Sequence, residues 1–153
     1  MKCYMMIGLP GSGKSWEAKE IAERENAVIV SSDAIRGELY GDESCQDNPR
    51  KVFEIVEKRV RKTLSSGRSV IMDATNISGK RRAEWVSQMK MYGAEMIAVY
   101  LDTPISICIE RQDFRQRKVP VDVIRRMQRQ FQAPVKKEGW DEIITIRTDE
   151  NWG

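Results

Sequence analysis

The residues best suited to chemistry lie in Gly8-Leu9-Pro10-Gly11-Ser12-Gly13-Lys14-Ser15, a full GxxxxGK[ST] pattern. Glycines at Gly8, Gly11 and Gly13 let the backbone curl, so that successive N–H groups, that of Ser12 included, converge on a phosphate. Lys14 can then bridge β- and γ-phosphates, and the Ser15 hydroxyl can ligate Mg²⁺. A nucleoside triphosphate, ATP or GTP, with Mg²⁺ is the ligand such a loop takes, and ATP is the expected one. The motif does not name the acceptor. Water, a small alcohol, another nucleotide and a nucleic-acid end all remain open.

The chain has no histidine, which excludes Ser-His, Cys-His and His-metal arrangements and directs acid-base chemistry towards carboxylates. Ser31-Ser32-Asp33-Ala34-Ile35-Arg36 offers one. Asp33 can accept the proton of an attacking hydroxyl, and Arg36, three residues on, can hold an anionic acceptor. The bland alternative is that Ser32 or Asp33 caps a short helix and Arg36 is solvated. Asp73, at the end of the apolar Val70-Ile71-Met72, occupies a position that can bind Mg²⁺ through water or orient acceptor-side groups such as Arg36; an Asx turn is its alternative.

Net charge is only +3, but it is unevenly spread: Glu110 to Lys137 holds nine basic and three acidic residues, +6 locally, leaving −3 elsewhere. Arg111 and Arg115 lie at i and i+4 on one helix face, so both can point at the same target, as a lid over bound phosphates requires. Beyond Pro120, Ile124, Met127 and Phe131 form an apolar stripe, with Arg125, Arg126 and Arg129 opposite. For those three a solvated face is the preferred reading over nucleic-acid contact.

These residues need a scaffold. A chain of 153 residues, 41% hydrophobic and 32% charged, fits a single globular domain spanning 1–153. Apolar runs at Lys2–Ile7, Ala27–Ser31, Ser69–Met72, Glu95–Leu101 and Glu142–Arg147 read as strands. Helical patterns separate them: one after Lys14, one from Pro49 to Gly67 burying Val52, Val56, Val60 and Leu64, and one from Ser78 to Gly93 burying Ala83, Val86 and Met89. Another begins at Thr103-Pro104, read as an N-cap and first-turn pair. Such alternation predicts an α/β domain with a mostly parallel sheet flanked by helices on both faces and ligands at the carboxyl ends of the strands. Trp85 and Trp140 are expected to pack, with Trp140 close to the nucleotide as the alternative. Cys3, Cys45 and Cys108 are too far apart for a CxxC pair and suit a reducing compartment, the cytoplasm; no targeting or membrane segment is visible.

Taken together, GLPGSGKS, SSDAIR at Ser31–Arg36, DATN at Asp73–Asn76, and ERQDFR at Glu110–Arg115 followed by KVPVDVIRRM at Lys118–Met127 resemble the P-loop 5′-hydroxyl polynucleotide kinases of nucleic-acid end healing. The resemblance runs from Met1 to about Ile146. It implies a P-loop NTPase fold with an arginine-rich lid at about residues 110–120. It also implies ATP and Mg²⁺ at Lys14 and Ser15, Asp33 as general base for a 5′-hydroxyl, and Arg36 on the phosphate beside the attacking sugar. Asp73 would belong to the acceptor side, Arg111 and Arg115 to the donor phosphates, and Val119 to a lid position near the adenine. This family often carries a fused phosphatase or ligase for which 153 residues leave no room, so a separate partner of that kind is conceivable. The same motifs shade into zeta-toxin-like and small-molecule kinases, and a non-enzymatic ATP switch is the remaining alternative.

Overall fold

Strand β1 (Lys2–Ile7) sends Cys3, Met5 and Ile7 to one face of a sheet and Tyr4 and Met6 to the other, and all five are buried. Burial on both faces explains its unbroken apolar character. The computed structural model describes residues 1–43, 48–116 and 118–148; Cys45 and Arg117 lie outside them. β1 sits at the centre of five parallel strands, with β2 (Val28–Ser31), β3 (Val70–Asp73), β4 (Glu95–Asp102) and β5 (Glu142–Arg147) in the order β2-β3-β1-β4-β5. The strands begin or end within a residue of the expected positions. β3 differs most usefully, starting at Val70 and taking in Asp73.

Helix α1 (Lys14–Glu25) packs Ala18 and Ile21 on the Tyr4, Met6 and Ile71 face. The opposite face is covered by α2 (Ser32–Tyr40), α3 (Pro49–Ser65) and α4 (Gly79–Met89), which contribute Ile35, the four-spaced Val52, Val56, Val60 and Leu64, and Val86 and Met89. Trp140 is buried in that same cluster and Trp85 packs against it. The sheet is therefore covered on both faces. Helices α5 (Ile105–Arg111) and α6 (Val121–Gln130) meet the phosphate loop in a third, small cluster, where Cys108 and Ile124 bury against Leu9.

Two helix expectations are corrected. In α4 Ala83 is only half-buried, and the buried position is Arg82, which shares the i, i+4, i+7 face of Val86 and Met89. In α5 the N-cap position is Pro104, without a side-chain cap; the Thr103 hydroxyl goes to the phosphate loop instead, as described below. No described helix is long and apolar enough to cross a membrane.

Candidate active site

Parallel register aligns the chemistry. Asp73 pairs with Met6 on one side and with Ser31 on the other, so the ends of β1, β3 and β2 are level, and the segments that follow them open on one edge of the sheet.

After β1, residues 8–13 form the loop. Gly11 (φ 86°) and Gly13 (φ 103°) occupy left-handed backbone conformations, and a Cβ on Gly11 would stand 2.6 Å from the Cys108 carbonyl oxygen. Only glycine fits there without displacing α5. Three loop carbonyls are held by side chains: Lys14 Nζ donates to Leu9 O at 2.9 Å, Arg111 Nη1 to Gly11 O at 3.0 Å, and Thr103 Oγ1 to Ser12 O at 2.9 Å. A trans peptide directs its N–H opposite to its carbonyl. By drawing the Ser12 carbonyl towards β4, Thr103 therefore turns the Gly13 N–H the other way, towards the site. Gly8 N donates to Thr75 O at 3.1 Å and Asn76 Nδ2 to Met6 O at 2.7 Å, tying the DATN turn to the root of the loop.

Ser15 Oγ donates to Asp73 Oδ2 at 3.0 Å. Burial raises the Asp73 carboxyl above its ordinary range, against the opposing pull of the Lys14 charge and the Ser15 hydrogen bond, while Asp33 adds a further upward push. Burial likewise lowers Lys14, opposed by the charges of Asp73 and Asp33. Lys14, Asp73 and Asp33 thus feel one another: a cation and two carboxylates partly removed from water, which an anion at Lys14 and a cation at Asp73 would relieve.

The Ser15 and Asp73 oxygens suit Mg²⁺, a hard cation that takes one or two protein oxygens and completes its shell with phosphates and water. Among the described residues no cluster of three or more His, Cys, Asp or Glu side chains could hold a metal by itself. The fit is thus to a cation shared with bound phosphates; Asp73 lies against the phosphate-loop serine and within electrostatic reach of Asp33.

On α2 the helix cap is Ser31, whose Oγ accepts from Ala34 N at 3.2 Å. Neither Ser32 nor Asp33 caps it. Asp33, in the first turn, accepts from Arg36 Nη1 at 2.9 Å, and Arg36 is 9% exposed with its guanidinium over the Phe53 ring. Its buried Nε has no hydrogen-bond partner among the described residues.

The two lid arginines are placed differently from the sequence reading. α5 ends at Arg111, a 3₁₀ turn follows at Gln112–Phe114, and Arg115 is extended (φ −99°, ψ 142°), so the pair does not share a helix face. Arg115 still acts electrostatically on both Lys14 and Asp73. The turn is fixed by buried Gln112, which donates to Cys108 O at 3.0 Å and accepts from Val119 N at 3.1 Å. Val119 packs against the Leu9, Cys108 and Ile124 cluster beside the loop.

Sequence reasoning missed Thr103, Gln112 and Arg82. Arg82, 1% exposed, donates to both carboxylate oxygens of Glu138 at 3.0 Å, to Asn76 O at 2.7 Å and to Gln132 O at 2.7 Å; Trp140 Nε1 donates to Glu138 as well. This clamp holds the turn after β3 against the segment after α6. Its helical spacing with Val86 and Met89 was the available signal.

The five-stranded parallel sheet recurs in known kinases. The APS kinase CysC of Mycobacterium tuberculosis, solved with AMPPNP and APS, superposes with a TM-score of 0.64 at 20% identity over 94% of this chain and 87% of that one. A chain of the Pnkp1/Rnl/Hen1 RNA repair complex gives a TM-score of 0.75 at 27% identity over 84% of this chain and 43% of that one. The L-seryl-tRNA(Sec) kinase of Methanococcus maripaludis is 29% identical over 95% of this chain, which spans 59% of that protein's length. The fold is that of the P-loop kinases. A family profile described as an AAA domain, AAA_33, matches residues 4–134, and the chain belongs to that family.

Proposed function

We propose that this protein is an ATP-dependent kinase that phosphorylates the 5′-hydroxyl of a polynucleotide. The observation that carries the acceptor assignment is the Asp33–Arg36 pair: a carboxylate able to take a hydroxyl proton, beside a nearly buried guanidinium with an unpartnered Nε. A hydroxyl next to a phosphate, as at a 5′ end, matches both groups. The RNA repair complex and the seryl-tRNA kinase among its relatives support an RNA acceptor.

In this reading the backbone N–H groups of Gly11 and Gly13 and the Lys14 ammonium bind the donor phosphates, with Arg111 and Arg115 over them and Val119 near the adenine; the Ser12 N–H donates to Leu9 O at 3.0 Å and shapes the loop instead. Ser15 and Asp73 would hold Mg²⁺, which when bound neutralises charge on the β- and γ-oxygens. Asp33 accepts the proton of the 5′-hydroxyl as its oxygen bonds to the γ-phosphorus; the bond from that phosphorus to the β,γ-bridging oxygen breaks, and ADP leaves. Arg36 fixes the adjacent phosphate and so the attack line. Such an enzyme suits a separate ligase or phosphatase partner.

The test is label transfer from γ-labelled ATP to a panel of acceptors. Transfer to a 5′-hydroxyl oligonucleotide is expected; none, with efficient labelling of a free sugar or nucleoside, would make it a small-molecule kinase. ATP binding without transfer to any alcohol would make it a switch. Arg36→Ala should cost about 10- to 100-fold with an acceptor bearing a phosphate beside its hydroxyl, the range for losing a charge-assisted hydrogen bond, and far less with an uncharged alcohol. Equal losses would remove Arg36 from the acceptor phosphate.

A further inference from the structure

Helix α6 runs from the phosphate loop to the turn that follows β3. Near its middle Ile124 is buried against Leu9 of the phosphate loop. Just past its end Gln132 N donates to Ile77 O at 3.0 Å, Gln132 Oε1 accepts from Gly79 N at 2.7 Å, and the Arg82 clamp takes the Gln132 carbonyl. The helix is thus pinned both to the phosphate loop and to the turn that follows Asp73.

Its outer face carries Arg125, Arg126 and Arg129, all exposed, and none has an ion-pair partner among the described residues, although Asp122 lies three and four positions before the first two. Helix α3 gives the contrast. It is also arginine-rich and solvent-facing, yet Arg50 pairs with Glu54, Arg59 with Glu38 and Arg61 with Glu57. A face that merely keeps a helix in water is served by such mixed pairs. Beyond the C-terminal end of α6 a groove of about 450 Å³ is lined by Lys80 and Lys137 together with Glu138, whose carboxylate is taken by Arg82.

We propose that this face of α6 is the track for a polynucleotide acceptor, binding backbone phosphates beyond the reacting end. The inference rests on the 5′-hydroxyl kinase reading and goes beyond the solvated face expected from the sequence, with which the exposure of all three arginines agrees. An unpaired arginine row on a helix tied to both the phosphate loop and the turn after Asp73 is complementary to a chain of phosphates.

The test compares the wild-type chain with the triple variant R125A/R126A/R129A, using a 5′-hydroxyl dinucleotide and a single-stranded RNA of about 20 nucleotides, long enough to reach past the end group. Direct binding of the labelled RNA is followed by anisotropy across a salt series. The variant should phosphorylate the dinucleotide at the wild-type rate, bind the long RNA about tenfold more weakly, and lose about 2 from the log–log salt slope, at ~0.7 per single-strand phosphate contact. An unchanged slope and unchanged affinity would overturn the track. Equal competition by polyglutamate of matched charge would overturn it in favour of an acidic protein. A wild type that binds the RNA through these arginines but phosphorylates no oligonucleotide would sink the kinase reading while keeping the track. Loss of dinucleotide activity in a variant with unchanged melting temperature would place the arginines in the reaction centre and overturn the assignment.

Discussion

The donor cradle and the acceptor corner are built on opposite plans. Around the phosphate loop the geometry is set by backbone, and side chains from three places, Lys14, Thr103 and Arg111, hold the carbonyls of Leu9, Ser12 and Gly11. In the proposed acceptor corner the chemistry rests on side chains: Asp33 and Arg36 come from one turn of α2 and hold each other. The first plan draws on β1, β4 and α5. The second occupies four residues, so the acceptor can change with little cost to the fold, as a fold shared by kinases of dissimilar name suggests.

The sharpest way to break this division is Asp33→Asn. If Asp33 serves only the acceptor, kcat should fall about 10²- to 10⁴-fold, the range for losing a general base, while the dissociation constant of ATP stays at the wild-type value. Rapid-quench transfer and equilibrium nucleotide binding measure the two separately. A parallel loss of ATP affinity would make Asp33 part of the cradle and dissolve the contrast.

Next in size is Arg82→Leu. The turn after β3 is held by the buried Arg82–Glu138 ion pair, and removing the arginine leaves Glu138 charged and uncompensated, a loss of about 3–5 kcal/mol. Urea unfolding would show it. R82L/E138Q should recover part of that loss, because the stranded charge is gone. A single variant within about 0.5 kcal/mol of wild type, the scale of ordinary surface substitutions, would mean that the turn after β3 is held by other contacts.

The same contrast explains what could be read from the letters. The cradle was legible because a loop built from backbone needs glycine at fixed places, and Gly11 against the Cys108 carbonyl is such a place. The strands were legible because a central parallel strand is apolar on both faces, as β1 is. Arg82 was passed over because an arginine on a buried helix face looks solvated unless its partner is known, and Glu138 lies 56 residues away. Thr103 read as a helix cap because Thr-Pro before a helix is locally sufficient for one; the competing acceptor, the Ser12 carbonyl, is supplied by the sheet register. The i, i+4 spacing of Arg111 and Arg115 predicts one helix face because nothing in the sequence marks the 3₁₀ turn at which α5 ends. In each case the missing information was a long-range partner or a local break in helix geometry.

A smaller effect separates the cradle's foundation from its rim. Cys3 lies in β1, and burial pushes its thiol from 9.0 up to about 12. The folded thiol keeps its proton between those values while the unfolded one releases it, so stability falls as pH rises through that window and is unaffected below it. Cys3 should contribute about 1.4 kcal/mol per pH unit there. Cys3→Val, which keeps the apolar packing, should flatten the alkaline limb by that amount in thermal melts. An unchanged slope would assign alkaline unfolding to other groups.

The smallest expected change tests the cradle's plan most directly. If Thr103 matters only because it draws the Ser12 carbonyl outward and so aims the Gly13 N–H, then Thr103→Val should weaken ATP by about 0.5–1.5 kcal/mol, the net worth of one hydrogen bond. It should leave the KM for the acceptor untouched. Val keeps the branched shape and removes only the hydroxyl, so a loss in folding stability without a loss in ATP affinity would reduce the bond to a fastening between β4 and the loop. A loss confined to ATP would mean that the cradle's N–H groups are aimed from outside, and that a side chain which never meets the nucleotide helps set its affinity.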